Sequence, residues 1–262
     1  MSEHAPRPVF ARIYTKVAEI GERRGGAEHR RKLLAGLSAR VIEIGAGTGA
    51  NFVDYPTTVS EVIAVEPERY LRERAQLAAT RAPVAVWVVD GVGDRLPGEP
   101  QSFDAAVAAL VLCTVPDQQS VLAALFRVIR PGGELRFYEH VIADTPGKAR
   151  FQRFADATFW PHVAGGCHMA RNTRSAIELA GFEIGTCERF SSARRRRFPP
   201  IPTFLGAPGA LEPSAAAHQP ADRGHHLGGA CVLLSSLRPD HAGSCVAVEQ
   251  PESDLVQRRL DR

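Results

Sequence analysis

Glycines, acids, thiols and imidazoles carry the chemistry of this sequence. "VIEIGAGTGANF", Val41 to Phe52, sets Gly45, Gly47 and Gly49 directly behind an apolar run. Glycine weakens regular structure, so such a cluster points to a tight turn whose backbone approaches a ligand. Glu66, in "AVEP" after the next apolar run, is placed to accept hydrogen bonds from ribose hydroxyls. Asp90, in "VVDGVGDRLP", suits an exocyclic amino group of adenine. Glu43 stands beside the glycines, where a carboxylate favours a cationic ligand over a pyrophosphate, which it would repel. Glu139 and His140 in "YEHV", and Cys167 and His168 in "GGCHM", are the remaining reactive groups. His140 is the candidate for a basic role; its structural alternative is to orient a loop by bonding backbone. Cys167 reads as a small buried hydrophobe, with a reactive thiol as the alternative. His168 would pair with it poorly, because adjacent side chains on an extended chain point apart. Arg171 and Arg174 read as a solvated helix start, with capture of an acidic substrate group as the alternative.

The elements that must position these groups alternate. Strands are expected at "ARVIEIG", "EVIAVEP", "VAVWVVD", "FDAAVAALVLCTV" and "GELRFYEHV", with helices between them at "YLRERAQLAATR" and "QQSVLAALFRVIR". Two helices precede them in residues 1–38, the second feeding the first strand. Apolar strands separated by helices imply a parallel sheet covered on both faces, a doubly wound α/β fold. In such sheets ligands bind beyond the carboxyl ends of the strands, where the glycines and acids lie. The glycine turn is expected to run into a helix whose first N–H groups are free. Residues 151–180 are expected to cover the mouth of the sheet and to end in a short helix, Asn172 to Ala180. Phe154, Phe159 and Trp160 there suit an apolar substrate wall or burial under that cover. Trp87 is expected in the core. "FEIGTCERF" is a sixth strand.

The ordered set of Glu43-x-Gly45-x-Gly47-x-Gly49, Glu66, Asp90-Gly91, "FDAAVAALVL" and "RPGG" resembles the class I S-adenosylmethionine-dependent methyltransferases. "VLCTVPDQQSVLAALFRVIRPGGELRFYEHV" with "GCHMARNTRSAIELAGF" resembles the thiol and small-molecule group within them, related to the ubiquinone/menaquinone biosynthesis methyltransferases. The resemblance covers residues 8–190. It implies a Rossmann-like sheet and S-adenosyl-L-methionine as cofactor. Gly45, Ala46, Gly47, Thr48 and Gly49 would wrap the methionine and ribose, and Glu43 would lie near the cationic end. Glu66, followed by Pro67, would bind the ribose hydroxyls, and Asp90 and Gly91 would contact adenine. Leu112 and Cys113 would line the methyl-transfer face at the end of the fourth strand. The implied acceptor is a small molecule: a thiol, a phenol or a quinone-like compound. Two rivals remain. Gly45, Gly47 and Ala50 satisfy the dinucleotide pattern G-x-G-x-x-A of an NAD-dependent oxidoreductase. A cofactor-binding protein without turnover would carry the same turn.

With 262 residues and a net charge of +3, the chain fits one α/β domain and argues for no nucleic-acid partner. There is no apolar run long enough for a membrane span and no secretory signal pattern, so a cytoplasmic protein is expected. Five scattered cysteines without a CxxC pair read as reduced thiols, with no metal site expected. The run "ARRRRF" and His218, His225 and His226 read as solvated, non-ligating residues. Residues 1–206 are the expected catalytic domain. Residues 207–262, rich in Ala, Gly, Pro and His, are an atypical extension expected to be poorly ordered. The seventh strand usual in the family is not evident after "FPPIPTFLGAP"; "ACVLLSSL" is the candidate substitute.

Overall fold

The computed structural model describes residues 26–191, 202–207 and 234–236, with Ala11 and Thr15. The first expected helix, apart from those two residues, lies outside the described residues, as do the arginine run, His218, His225 and His226.

Among the described residues eight strands form one sheet: β1 (Ala39–Ile44), β2 (Val59–Val65), β3 (Ala85–Val89), β4 (Phe103–Ala109), β5 (Ile129–His140), β6 (Thr186–Ser191), β7 (Pro202–Ala207) and β8 (Leu234–Ser236). Their order is β3-β2-β1-β4-β5-β7-β6, with β8 also on β5. β1 to β5 pair in parallel, while β7 runs antiparallel between β5 and β6. Among the described residues the helices are α1 (Ala27–Leu34), α2 (Arg69–Ala79), α3 (Gln118–Val128), α4 (Pro146–Thr158), α5 (Trp160–Val163) and α6 (Thr173–Leu179).

Strand alternation sorts β1 between two cores. Ile42 and Ile44 pack with Leu122, Leu125 and Val128 of α3 and Ile177 of α6. Val41 lies in the opposite core with Leu33 and Leu34 of α1 and Ala75 of α2. This is the expected doubly wound arrangement, helices on both faces. A buried cation links its layers. Arg136 of β5 is 1% exposed, pairs with Glu134 at 2.9 Å, and donates to the carbonyls of Leu33 and Ala35 at the end of α1. A cation there also complements the helix dipole.

Several expectations change. Trp87 is 40% exposed, not core, because β3 is the edge strand. Pro131-Gly132-Gly133 is a break inside β5 rather than a turn leading into it. The pairing with β4 jumps from Phe103↔Ile129 to Ala105↔Glu134, and Gly132 has φ +75°. Gly133 passes so close to the Asp104 carbonyl that an added Cβ would lie 2.7 Å from it. The seventh strand is β7, inside the stretch "IPTFLGAP" that precedes the atypical tail. It pairs with Tyr138–His140, and β8 extends that edge by pairing with Glu134–Arg136. β8 is drawn from "ACVLLSSL", within residues 207–262. Truncation after Pro208 would strip β8 from β5 and leave backbone groups of a central strand unpaired. A loss of about 1–3 kcal/mol is expected, read as a lower melting temperature. Equal melting of full-length and truncated chains would show that β8 adds nothing.

Candidate active site

The glycine turn closes the carboxyl end of β1. Gly45, Gly47 and Gly49 all lie in the left-handed region, at φ +58°, +58° and +78°. A Cβ on Gly45 would sit 2.3 Å from Val111 Cγ2, so the turn and the loop after β4 touch across the site. The expected α-helix behind the turn is absent. A three-residue 3-10 helix, Phe52–Asp54, stands there instead. Tyr55-Pro56 ends it, since the residue before proline is driven out of the helical region. The free N–H groups of a helix start are therefore not what this turn offers. The Gly47 N–H donates to Glu66 Oε2 at 2.8 Å.

Glu43 faces the α1 side of the sheet, in register with Ala64 and Val107. It is 1% exposed, and both its oxygens are engaged. Asn51 Nδ2 donates to one at 2.8 Å and the Tyr55 hydroxyl to the other at 2.7 Å. Arg30 Nη1 donates to Asn51 Oδ1 at 2.9 Å, extending the network to α1. Glu43 thus holds the far limb of the turn. Glu66, 5% exposed, bridges Gly47 N–H and Glu68 N–H from the end of β2. Asp90, by contrast, is 71% exposed and pairs with Arg72 Nη1 at 3.0 Å. Arg72 also donates to the carbonyls of Glu66 and Pro67, tying the ends of β2 and β3 together. Nothing in the sequence marked Arg72, Asn51 or Tyr55, which act across loops rather than along a motif.

Burial pushes the carboxyls of Glu43 and Glu66 up to about 7, against the pull of their hydrogen bonds. Each then holds its proton more tightly in the folded chain than in the unfolded one. Such a group stabilises fully below its ordinary value of 4.5, and the contribution is lost as pH rises through about 7. Stability is expected to fall across that window, by at most about 1.4 kcal/mol per pH unit and group. Denaturant unfolding from pH 4.5 to 8 checks this. Glu43→Gln should lessen the slope, and an unchanged slope would refute the assignment to Glu43.

On the acceptor side, β4 ends at Ala109, earlier than expected, and Leu110 turns the chain with φ +61°. Leu112 and Cys113 therefore stand in the loop beyond the strand. Glu139 fixes that loop. Its Oε1 accepts from Val111 and Leu112 N–H at 2.8 Å each, and its Oε2 from Cys113 N–H at 2.9 Å. Burial drives its carboxyl well above the usual range; those three donations pull the other way. Arg171, read from sequence as solvated, instead donates to the Leu112 carbonyl at 2.6 Å. Arg174 is solvated and pairs with Glu178. Phe154 and Phe159 are 63% and 45% exposed, so burial under a cover does not explain them.

His140, the last residue of β5, meets two thiols. Its Nδ1 lies 3.3 Å from Cys167 Sγ and 3.7 Å from Cys113 Sγ, and the two sulfurs are 3.7 Å apart. His168 does not join them; its side chain lies toward Asp156. Its backbone N–H, however, donates to the Cys113 carbonyl at 2.7 Å and clamps the two cysteine segments together. Linear spacing gave no hint of this cluster, because its members are 27 residues apart and meet only through the sheet.

Residues 42–137 match the family described as a methyltransferase domain. Over 158 residues the chain is 38% identical to mouse thiol S-methyltransferase TMT1B, covering 58% of this chain and 64% of that one. The chain thus spans less than two-thirds of this relative's length. Over 246 residues it is 26% identical to the ubiquinone/menaquinone biosynthesis C-methyltransferase UbiE of Methylobacterium nodulans, covering 88% and 89%. The fold is similar to that of the YcgJ protein from Bacillus subtilis: TM-score 0.55, 19% identity, 63% of this chain and 72% of that one. Among the described residues no helix is long and apolar enough to cross a membrane.

Proposed function

The chain belongs to the class I S-adenosylmethionine-dependent methyltransferases, and on that premise we propose that it moves the methyl group of S-adenosylmethionine to a small-molecule thiol. The cofactor half rests on one observation above all. The left-handed glycine turn and the Glu66 carboxylate meet through the Gly47 N–H at the carboxyl ends of β1 and β2. A nucleoside fits there: backbone can approach it closely, Glu66 offers acceptors to a ribose diol, and Asp90 lies open to solvent beyond β3. Pro67 and Gly91 directly follow these two acids in the sequence, and Leu112 and Cys113 lie buried in the loop after β4. Glu43 acts at one remove, through Asn51 and Tyr55. The acceptor half draws on the likeness to thiol S-methyltransferase TMT1B.

A sulfonium methyl is already electrophilic, so the protein's task is alignment and exclusion of water. Positioning of that kind contributes on the order of 7–11 kcal/mol in well-oriented reactions. A thiol with an ordinary pKa of about 8.5 is partly ionised near neutrality and needs little further help. Glu66→Ala removes the charge-assisted acceptors offered to the diol, at about 1.5–3 kcal/mol. Calorimetric titration with S-adenosylmethionine should show an affinity about 10- to 100-fold lower; unchanged affinity would refute the ribose contact. Release of S-adenosylhomocysteine over a panel of thiols and phenols tests the acceptor. Turnover confined to phenols would move the acceptor from sulfur to oxygen. Binding without turnover would make the chain a cofactor-binding protein, and binding of NAD alone an oxidoreductase.

A further inference from the structure

We propose that Cys113, His140 and Cys167 bind one zinc ion, with a fourth position open to the sulfur of a thiol acceptor. Their three donor atoms lie within 4.8 Å of one another, and both cysteines are buried. Two thiolates bound to one zinc at about 2.3 Å stand about 3.8 Å apart at the tetrahedral angle; a thiolate and an imidazole nitrogen stand about 3.6 Å apart. The observed separations are 3.7 Å between the sulfurs and 3.7 and 3.3 Å from sulfur to Nδ1. The three atoms thus form one face of a zinc tetrahedron before any ion binds.

Hydrogen bonds are the alternative account of this face: the Cys167 S–H donates to Cys113 Sγ at 3.7 Å, and a neutral Nδ1 has one lone pair for the Cys113 S–H, also at 3.7 Å. A cation at the centre satisfies all three donors together. Each ligand is also held independently. Glu139 fixes the Cys113 backbone, β5 carries His140, and the His168 N–H anchors the Cys167 segment to the Cys113 carbonyl. Asp156 of α4 holds the next turn by accepting from Met169 and Ala170 N–H at 2.9 and 2.8 Å. A bound metal deprotonates its thiol ligands outright. Two sulfurs and one imidazole favour zinc over magnesium or calcium, and three protein ligands leave a position for substrate.

The consequence for chemistry rests on the proposed thiol transfer. A thiol entering the fourth position gives its proton to solvent and stays as a zinc-bound thiolate. Its sulfur forms a bond to the methyl carbon while the methyl–sulfonium bond breaks. That electron pair remains on S-adenosylhomocysteine. The thioether formed is neutral, a poorer ligand than a thiolate, and leaves.

The test uses the untagged full chain, reduced with a phosphine, equilibrated with zinc and passed over a chelating resin. Elemental analysis should find about one zinc per chain. Cys113→Ser and Cys167→Ser should each weaken zinc at least about 100-fold in competition with a chromophoric chelator. Cobalt in place of zinc reports on the wild type alone, should a variant fail to fold. A cobalt–thiolate charge-transfer band should appear, and should shift when 2-mercaptoethanol is added. Reduced, folded wild type that retains no metal, or variants that retain a full equivalent, would overturn the site. A band that ignores added thiol would overturn the open position. S-adenosylmethionine titration on the same samples separates the two proposals. Cofactor binding without zinc refutes the metal site alone; zinc without cofactor binding refutes the transferase reading alone.

Discussion

Glu139→Ala is expected to cost about 3–5 kcal/mol of folding free energy and to release the loop from Val111 to Cys113. The carboxylate is fully buried and accepts three consecutive backbone N–H groups from that loop. Removing it strands three buried donors, each at about 1–3 kcal/mol, partly recovered if the loop opens to water. Glu139→Gln should be intermediate: it keeps the shape and one acceptor, but turns an NH2 group toward a donor. Denaturant unfolding measures the stability. Hydrogen exchange at Val111, Leu112 and Cys113 separates a released loop from general weakening, because those amides should lose protection before the strands of the core. Wild-type stability with those amides still protected would show that the carboxylate is not the anchor.

β1, β2 and β4 were legible because each is an apolar run, mostly buried and bounded by turn residues, and β3 and β5 because β-branched and aromatic residues mark them even where they are exposed or interrupted. The glycines and acids were legible because a nucleoside needs them at the ends of successive strands, where order in sequence becomes adjacency in space. Other features depend on contacts that sequence order hides. Trp87 looked like core, yet whether a strand is central or edge is a property of the whole sheet. Pro56 was visible, but not that it would leave only a 3-10 turn behind the glycines. β7 lay unread in "IPTFLGAP", whose two prolines weaken any strand pattern, and three residues of β8 are too short to announce a partner. The Cys113–His140–Cys167 cluster was the least legible. Each residue alone reads as an ordinary buried side chain, and only the pairing of β4 with β5 and the return from α5 bring them within bonding distance.

Gly45→Val should be severely damaging, because it breaks two conditions at once and does so against the loop after β4. A β-branched residue at φ +58° is a backbone outlier, costing of order 1–3 kcal/mol. Its Cβ would also lie 2.3 Å from Val111 Cγ2, and overpacking of that kind costs about 1–3 kcal/mol more. The turn and the loop after β4 would be driven apart, separating the proposed cofactor cradle from the acceptor side. Affinity for S-adenosylmethionine should fall at least about 100-fold, corresponding to about 2.7 kcal/mol. Gly36→Val supplies the control: Gly36 has φ +77°, but an added Cβ there meets nothing within 4 Å. It should show the backbone cost and leave cofactor affinity intact. The steric part can be isolated further, since Gly45→Ala and Val111→Ala together should cost less than the sum of the two alone. A coupling of about 0.5–3 kcal/mol is expected for residues in such contact. Strict additivity, or equal loss in Gly36→Val and Gly45→Val, would mean that the close approach of Gly45 to Val111 does not govern the site.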